Sequence, residues 1–173
     1  PMERDQFGVW CCFVMDGEYP AFGHACLVKV RVVGGDGPGG GTTTDRIPAY
    51  IKRVEFGPRG SNPTGVYWEP TAYAWKHTSP LDDGRYNGRP RIYEAHVGMA
   101  SEQEKVGTFE EFRRDVLPRI AKAGYNTVQL MAVAEHPYYG SFGYHVSNFF
   151  AVSSRFGTPE EFKALVDEAH RLG

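Results

Sequence analysis

The feature that most constrains this chain is a regular exchange of strand and helix periodicity across residues 91–173. "RIYEAHVG", residues 91–98, is an apolar-rich strand candidate stopped by glycine. Thr108-Phe-Glu-Glu111 follows as a capping box, in which the threonine hydroxyl and the glutamate carboxylate satisfy free amides of a first helical turn. Phe109, Phe112, Val116 and Ile120 then recur at helical spacing, and Gly124 can supply the left-handed residue that ends the helix. "TVQLMAVA", residues 127–134, is nearly all apolar, as a parallel strand covered on both faces must be. A second capping box, Thr158-Pro-Glu-Glu161, opens a helix whose stripe is Phe162, Leu165, Val166, Ala169 and Leu172. One residue breaks the pattern: Pro118 inside the first helix removes a backbone hydrogen bond and bends the axis, with nothing in the sequence to compensate.

Strand, helix, strand, helix predicts parallel strands covered by helices, in an open doubly wound sheet or in the first part of a (β/α)8 barrel. Neither strand-to-helix turn carries a glycine-rich phosphate-binding pattern, so the barrel is favoured. In such barrels the chemistry gathers in loops at the C-terminal ends of the strands. The 23-residue connection from Glu135 to Gly157 is such a loop and far exceeds the usual length of about 2–6 residues. It contains "YYGSFGYHVSNFF", residues 138–150, six rings in a stretch too glycine-broken for a regular helix.

Residues 1 to about 75 read as β. "QFGVWCCFV" (6–14) is a strand candidate apolar on both faces, and "LVKVRVV" (27–33) alternates as a strand with one wet face. "AYIKRVEF" (49–56) and "TGVYWEP" (64–70) are shorter candidates, and "GGDGPGGGTTTD" (34–45) reads as a long surface loop. Short strands with turn-rich spacers suggest an antiparallel sandwich. The polar run 76–90 marks a linker, which divides the chain at 1–88 and 89–173.

At 41% apolar and 23% charged, with a net charge of -2 and scattered Lys and Arg, the 173-residue chain has a globular balance and no electrostatic footprint for nucleic acid or an anionic membrane. No apolar run approaches a bilayer span, and "PMERDQFGVW" lacks the layout of a signal peptide. Cys11, Cys12 and Cys26 read as buried reduced thiols in strands, and an intracellular setting follows. The chain starts within strand-like sequence and stops where another element is expected, which suggests a stretch of a longer enzyme.

Glu94 and His96 at one strand end and Glu135 and His136 at the next have no metal-site spacing and read as structural groups; no metal or cofactor is expected. No nucleophile elbow is present. Among the rings, Phe149 and Phe150 read as anchors that hold the long loop down. Tyr144, between Gly143 and His145, has a flat face for sugar C–H groups and a hydroxyl for hydrogen bonding.

"IYEAHVGM" and the run from "FRRDVLPRIAKAGYN" through "AEHPYYGSFGYHVSNFFAVSSRFG" to "HRLG" closely resemble the start of the catalytic barrel of 1,4-α-glucan branching enzymes of the α-amylase superfamily. "FGVWCCFV", "HACLVKVRV", "IPAYIK", "GVYWEP" and "WKH" are similar, more loosely, to the carbohydrate-binding β-sandwich before that barrel. The resemblance implies a partial β-sandwich followed by the first two βα units of a (β/α)8 barrel. It implies retaining glucanotransfer on an α-glucan (amylose, amylopectin or glycogen), in cytoplasm or plastid, with no cofactor. The family's three catalytic carboxylates lie on later barrel strands, so none falls within these residues and the 173-residue chain alone is expected to be inactive. Tyr144 matches the tyrosine that stacks under the sugar at the cleaved bond, framed by Gly143 and His145. Gln6, Phe7, Gly8 and Val9 match a glucan-contacting stretch of the sandwich, although Val9 departs from the lysine common there, and Lys29 matches a basic contact on the neighbouring strand. A debranching isoamylase-type enzyme and a non-catalytic glucan-binding relative are the alternatives.

Overall fold

A computed structural model describes residues 2–13, 15, 23–34, 41–58, 62–69, 73–86 and 88–173. Before residue 91 every strand pairing is antiparallel. β1 (Glu3–Arg4) pairs β2 (Trp10–Cys11), β3 (Leu27–Val28) and β6 (Arg53–Glu55) flank β7 (Thr64–Val66), and β4 (Val30–Val33) pairs β5 (Thr43–Arg46). The 27–33 strand is therefore two strands that change partner at Lys29.

Several sequence expectations are corrected here. Gln6–Val9 do not form a strand but the tip of the β1–β2 hairpin, because the Asp5 carboxylate accepts the Phe7 and Val9 N–H groups at 2.8 Å and Gly8 takes φ 84°. Nor is that segment covered on both faces: Phe7 is 81% exposed and Phe13 92%. Thr43–Arg46 belongs to a hairpin rather than to a loop, its registry fixed from Val33↔Thr43 to Val30↔Arg46, while residues 35–40 of the glycine-rich run lie outside the described residues. The three cysteines are free, but Cys12 is exposed and Cys11 and Cys26 only half-buried.

From residue 91 the strand–helix alternation holds. β8 (Ile92–His96) pairs in parallel with β9 (Thr127–Met131), from Ile92↔Thr127 to His96↔Met131. The helix between them has three parts: α1 (Phe109–Glu111), a π-helical turn (Phe112–Val116) and α2 (Leu117–Lys122). The π turn supplies what the sequence did not. The Leu117 N–H reaches back to the Phe112 carbonyl, and widening the ladder just before Pro118 makes room for a residue that has no N–H and whose ring crowds the preceding turn. Both capping boxes form. Thr108 N–H donates to Glu111 at 3.0 Å and Glu111 N–H returns to the Thr108 hydroxyl at 3.2 Å, and Thr158 and Glu161 repeat this at 2.7 and 3.2 Å. The second box opens α3 (Pro159–Leu172).

The main core lies between the helices and the parallel pair. Phe109, Phe112 and Phe156 are fully buried there with Val97, Leu117 and Leu165, each large side chain contributing about 1.5–3 kcal/mol. A smaller cluster of Ile51, Val54 and Ala151 joins the β6 region to the long connection after β9. Asp167 on α3, 3% exposed, holds the 73–77 segment by accepting the Lys76 and His77 N–H groups and the Tyr73 hydroxyl at 3.0–3.2 Å. Trp68 donates to Glu160 at 3.0 Å, so α3 is tied to the β-rich part at two levels.

Candidate functional site

β9 ends sooner than its apolar run. Ala132 adopts φ 61°, the chain turns, and Ala134–Glu135 (β10) pairs antiparallel with Asn148–Val152 (β11) across a register shift. The long connection is therefore a hairpin with a decorated tip, not irregular loop. Its root is polar and satisfied: the fully buried Glu135 carboxylate accepts His136 N–H at 3.2 Å and Ser154 N–H at 2.8 Å, and Ser147 N–H donates to the Glu135 carbonyl at 2.9 Å. The Arg155 guanidinium ties down the His136 and Pro137 carbonyls.

At the tip, Tyr139–Ser141 form a 3-10 turn closed by Phe142 in the left-handed region, φ 53°. Gly143, φ 84°, follows in direct apposition to Ala132, where a Cβ would stand 2.6 Å from the Ala132 Cβ. Only glycine fits that approach. Tyr144 N–H then donates to the Ser141 carbonyl at 3.0 Å, and the Tyr144 side chain projects outward, 80% exposed. Positive-φ backbone at Ala132 and Phe142 brackets the point where this ring leaves the fold, and such strain persists only where surrounding structure imposes it.

Beneath the tip lies a group that sequence reasoning placed at a strand end without identifying its setting. His96, 8% exposed, stands edge-to-face with Tyr139, Phe142 and Phe156 at centroid distances of 5.9, 6.1 and 5.6 Å, and neither ring nitrogen has a partner among the described residues. Burial pushes its pKa down, and the neighbouring His136 adds to the shift. His136 Nδ1 lies 2.9 Å from the Ala134 carbonyl, which fixes the proton on Nδ1 and leaves Nε2 bare. Among the described residues no group of three or more His, Cys, Asp or Glu side chains is placed to hold a metal ion.

The other expected site residues are dispersed. His145 is exposed beside Tyr144, whereas Gln6–Val9 sit at the β1–β2 tip and Lys29 at the β3–β4 break. No hydrogen bond, ion pair or ring contact among the described residues joins these three places. Phe149 and Phe150 do not anchor the loop: they are 77% and 50% exposed, and Phe150 instead meets Tyr50 at 4.9 Å with the Lys52 ammonium over its ring at 5.2 Å. The rings turned inward are Tyr139, in the 3-10 turn, and Phe156, after β11, where no strand alternation applies.

Known proteins share this sequence pattern. The 1,4-α-glucan-branching enzyme of Oryza sativa subsp. japonica is 51% identical over 99% of this chain, and those of Solanum tuberosum and Dictyostelium discoideum are 49% and 46% identical over 99% and 100%. The chain is similar to branching enzymes along its whole length. It spans 21%, 20% and 25% of the length of those three relatives. No family model matches the chain. Among solved structures, one from Salmonella typhimurium described as an α-amylase superposes with a TM-score of 0.60 at 26% identity, over 79% of this chain and 21% of that one. The rice branching enzyme is described as chloroplastic/amyloplastic. No helix among the described residues is long and apolar enough to cross a membrane.

Proposed function

We propose that these residues form part of a 1,4-α-glucan branching enzyme and present Tyr144 to the sugar at the bond that is cleaved. In this reading residues 1–88 are the later part of a carbohydrate-binding β-sandwich with its linker, and residues 89–173 are the first two βα units of a (β/α)8 catalytic barrel. The protein cuts an α-1,4 bond of a linear glucan, holds the freed segment as a covalent glycosyl-enzyme, and passes it to a C6 hydroxyl as an α-1,6 branch. Its setting is intracellular, in cytoplasm or plastid.

Retention requires two carboxyl groups about 5–5.5 Å apart, one as nucleophile and one as acid and then base. Glu135 is the fully buried carboxylate at the hairpin root, and each of its oxygens accepts a backbone N–H, so it braces the hairpin. In this reading the reacting carboxylates come from later strands of the barrel, as the resemblance implies, and what this stretch supplies is a surface. Gly143, packed against Ala132, sets the exit angle of Tyr144; the Tyr144 face covers the apolar side of a sugar ring while His145 can donate to a hydroxyl. Stacking that tightens as the sugar flattens toward its oxocarbenium-like transition state raises kcat rather than only lowering KM.

The observation that carries this reading is the exposed Tyr144 directly after Gly143, whose backbone packs against Ala132, inside a chain about half identical to branching enzymes along its whole length. The test is to incubate the full-length protein that contains these residues with amylose, and separately with amylopectin, and to count α-1,6 linkages. Linkages that form in the parent and fall about tenfold or more in Tyr144→Ala support it; a parent that only hydrolyses α-1,6 bonds supports a debranching enzyme instead.

A further inference from the structure

β6 and the segment after β11 line a cavity of about 460 Å³, within the range of about 300–1,000 Å³ typical of ligand clefts. Arg53, Glu55 and Phe56 come from one side, Ser154 and Arg155 from the other. Two guanidinium groups therefore share one cavity, and each is held in place. The Arg53 guanidinium stands 5.0 Å from the Trp68 ring centroid and donates to the Gly157 carbonyl at 3.2 Å. The Arg155 guanidinium stands 5.4 Å from the Phe56 ring centroid and donates to the His136 and Pro137 carbonyls.

Neither cation is matched by an acid at close range. Arg155 has no ion pair among the described residues. Arg53 has only Glu55, at 3.8 Å, and its buried Nε has no hydrogen-bond partner among the described residues. Glu55 itself sits at the rim, with 55% of its side chain exposed. The cavity lining thus keeps an excess of positive charge, which favours an anion. A guanidinium carries five N–H donors in one plane, of which Arg155 commits two and Arg53 one to carbonyls, so both keep in-plane donors for anionic oxygens. A carboxylate has two oxygens, and the fork of one guanidinium fills them. A phosphoryl group brings three oxygens and a charge of about -1.5 to -2 at pH 7, enough for both guanidiniums and the Ser154 hydroxyl together.

We infer that this cavity is a phosphate site, in which Arg53 and Arg155 donate to oxygens of one phosphoryl group and the Ser154 hydroxyl donates to the same group. A neutral sugar chain does not supply the charge that this lining calls for. The inference goes beyond the proposed function and does not depend on it. The phosphoryl group is either the free ion or an ester on a small sugar, and the two are separated by the choice of probe.

Isothermal titration of the full-length protein that contains these residues, with inorganic phosphate and with glucose 6-phosphate at constant ionic strength, tests it. Saturable binding is expected; tighter binding of the first probe assigns the free ion, and of the second the ester. Arg53→Gln and Arg155→Gln are each expected to raise the Kd about tenfold, the loss of charge-assisted hydrogen bonds. Glu55→Gln is expected to lower it about threefold by removing a like charge. Arg114→Gln, in a residue paired with Asp115 on the π turn, leaves it unchanged. No saturable binding of either probe overturns the site, as does an unchanged Kd in a folded Arg53→Gln. If neither arginine variant folds, an unchanged Kd in Glu55→Gln, at the exposed rim, overturns it. Heat that sodium chloride reproduces overturns it as general screening, and displacement of phosphate by maltoheptaose overturns it in favour of a neutral sugar.

Discussion

The Gly143 backbone lies against Ala132 with no room for a side chain between them, so the end of β9 and the hairpin tip are in direct backbone contact. Gly143→Ala adds both a clash and an unfavourable φ of 84°. The variant is expected to fold, since the contact lies at the rim, but to displace Tyr144 and lower branching about 10- to 100-fold, the scale of a misplacement near 1 Å. Rates on amylose beside a circular dichroism melt check this; full activity would detach the tip geometry from function.

Tyr144 itself contributes little to the fold. At 80% exposure, and with no ring contact among the described residues, its replacement by alanine should change stability by no more than about 0.5 kcal/mol. Its kcat/KM should fall by about tenfold or more, with Tyr144→Phe, which keeps the stacking face, losing less. Equal losses in the two variants would assign the role to the hydroxyl instead.

The His96 cage predicts an acid weakness with a definite sign. Folded His96 has a pKa below the ordinary histidine value near 6.5, so at pH 7.5 both states hold a neutral ring and the group adds nothing. As pH falls through that value the unfolded chain takes a proton that the folded cage of Tyr139, Phe142 and Phe156 disfavours, and His136 opposes it further. Stability is therefore lost between about pH 6.5 and the lowered folded value. Thermal melts at pH 7.5 and 5.5 should show a smaller acid drop for His96→Phe than for the parent. An equal drop would place the sensitivity elsewhere.

Asp167 joins α3 to the segment before β8. Burial alone would raise its pKa, but the Lys76 and His77 N–H groups, the Tyr73 hydroxyl and the His77 ring outweigh that and hold it below the usual carboxylate range. Its contribution is therefore present above the ordinary aspartate value near 3.9 and lost as pH falls through the folded one. Asp167→Ala is expected to lower Tm and to speed amide exchange at Lys76 and His77 while α3 stays helical. Unchanged exchange at those two amides would contradict the clamp.

Much of this was legible in the sequence where local rules act alone. Thr108 with Glu111 and Thr158 with Glu161 announce their helices because a capping box needs only four residues, and the parallel pairing of β8 with β9 follows from the strand–helix order. Period-based reading failed where two residues far apart set the outcome. Ala132 leaves the strand because the hairpin root at Glu135 and Asn148 pulls the chain aside, and Asp5 folds Gln6–Val9 into a turn despite their apolar run. The π turn before Pro118 is a third dimension of the same problem: the sequence shows the missing donor but not the widening that accommodates it.

The most direct test of the central claim is to treat amylose with the full-length protein that contains these residues, digest the product with an α-1,6-specific hydrolase, and size the released chains. A branching enzyme gives new short chains on debranching, with no net rise in reducing ends before that step, and Tyr144→Ala gives about a tenth as many or fewer. Reducing ends that rise without α-1,6 linkages, or linkages formed equally by Tyr144→Ala, would contradict it.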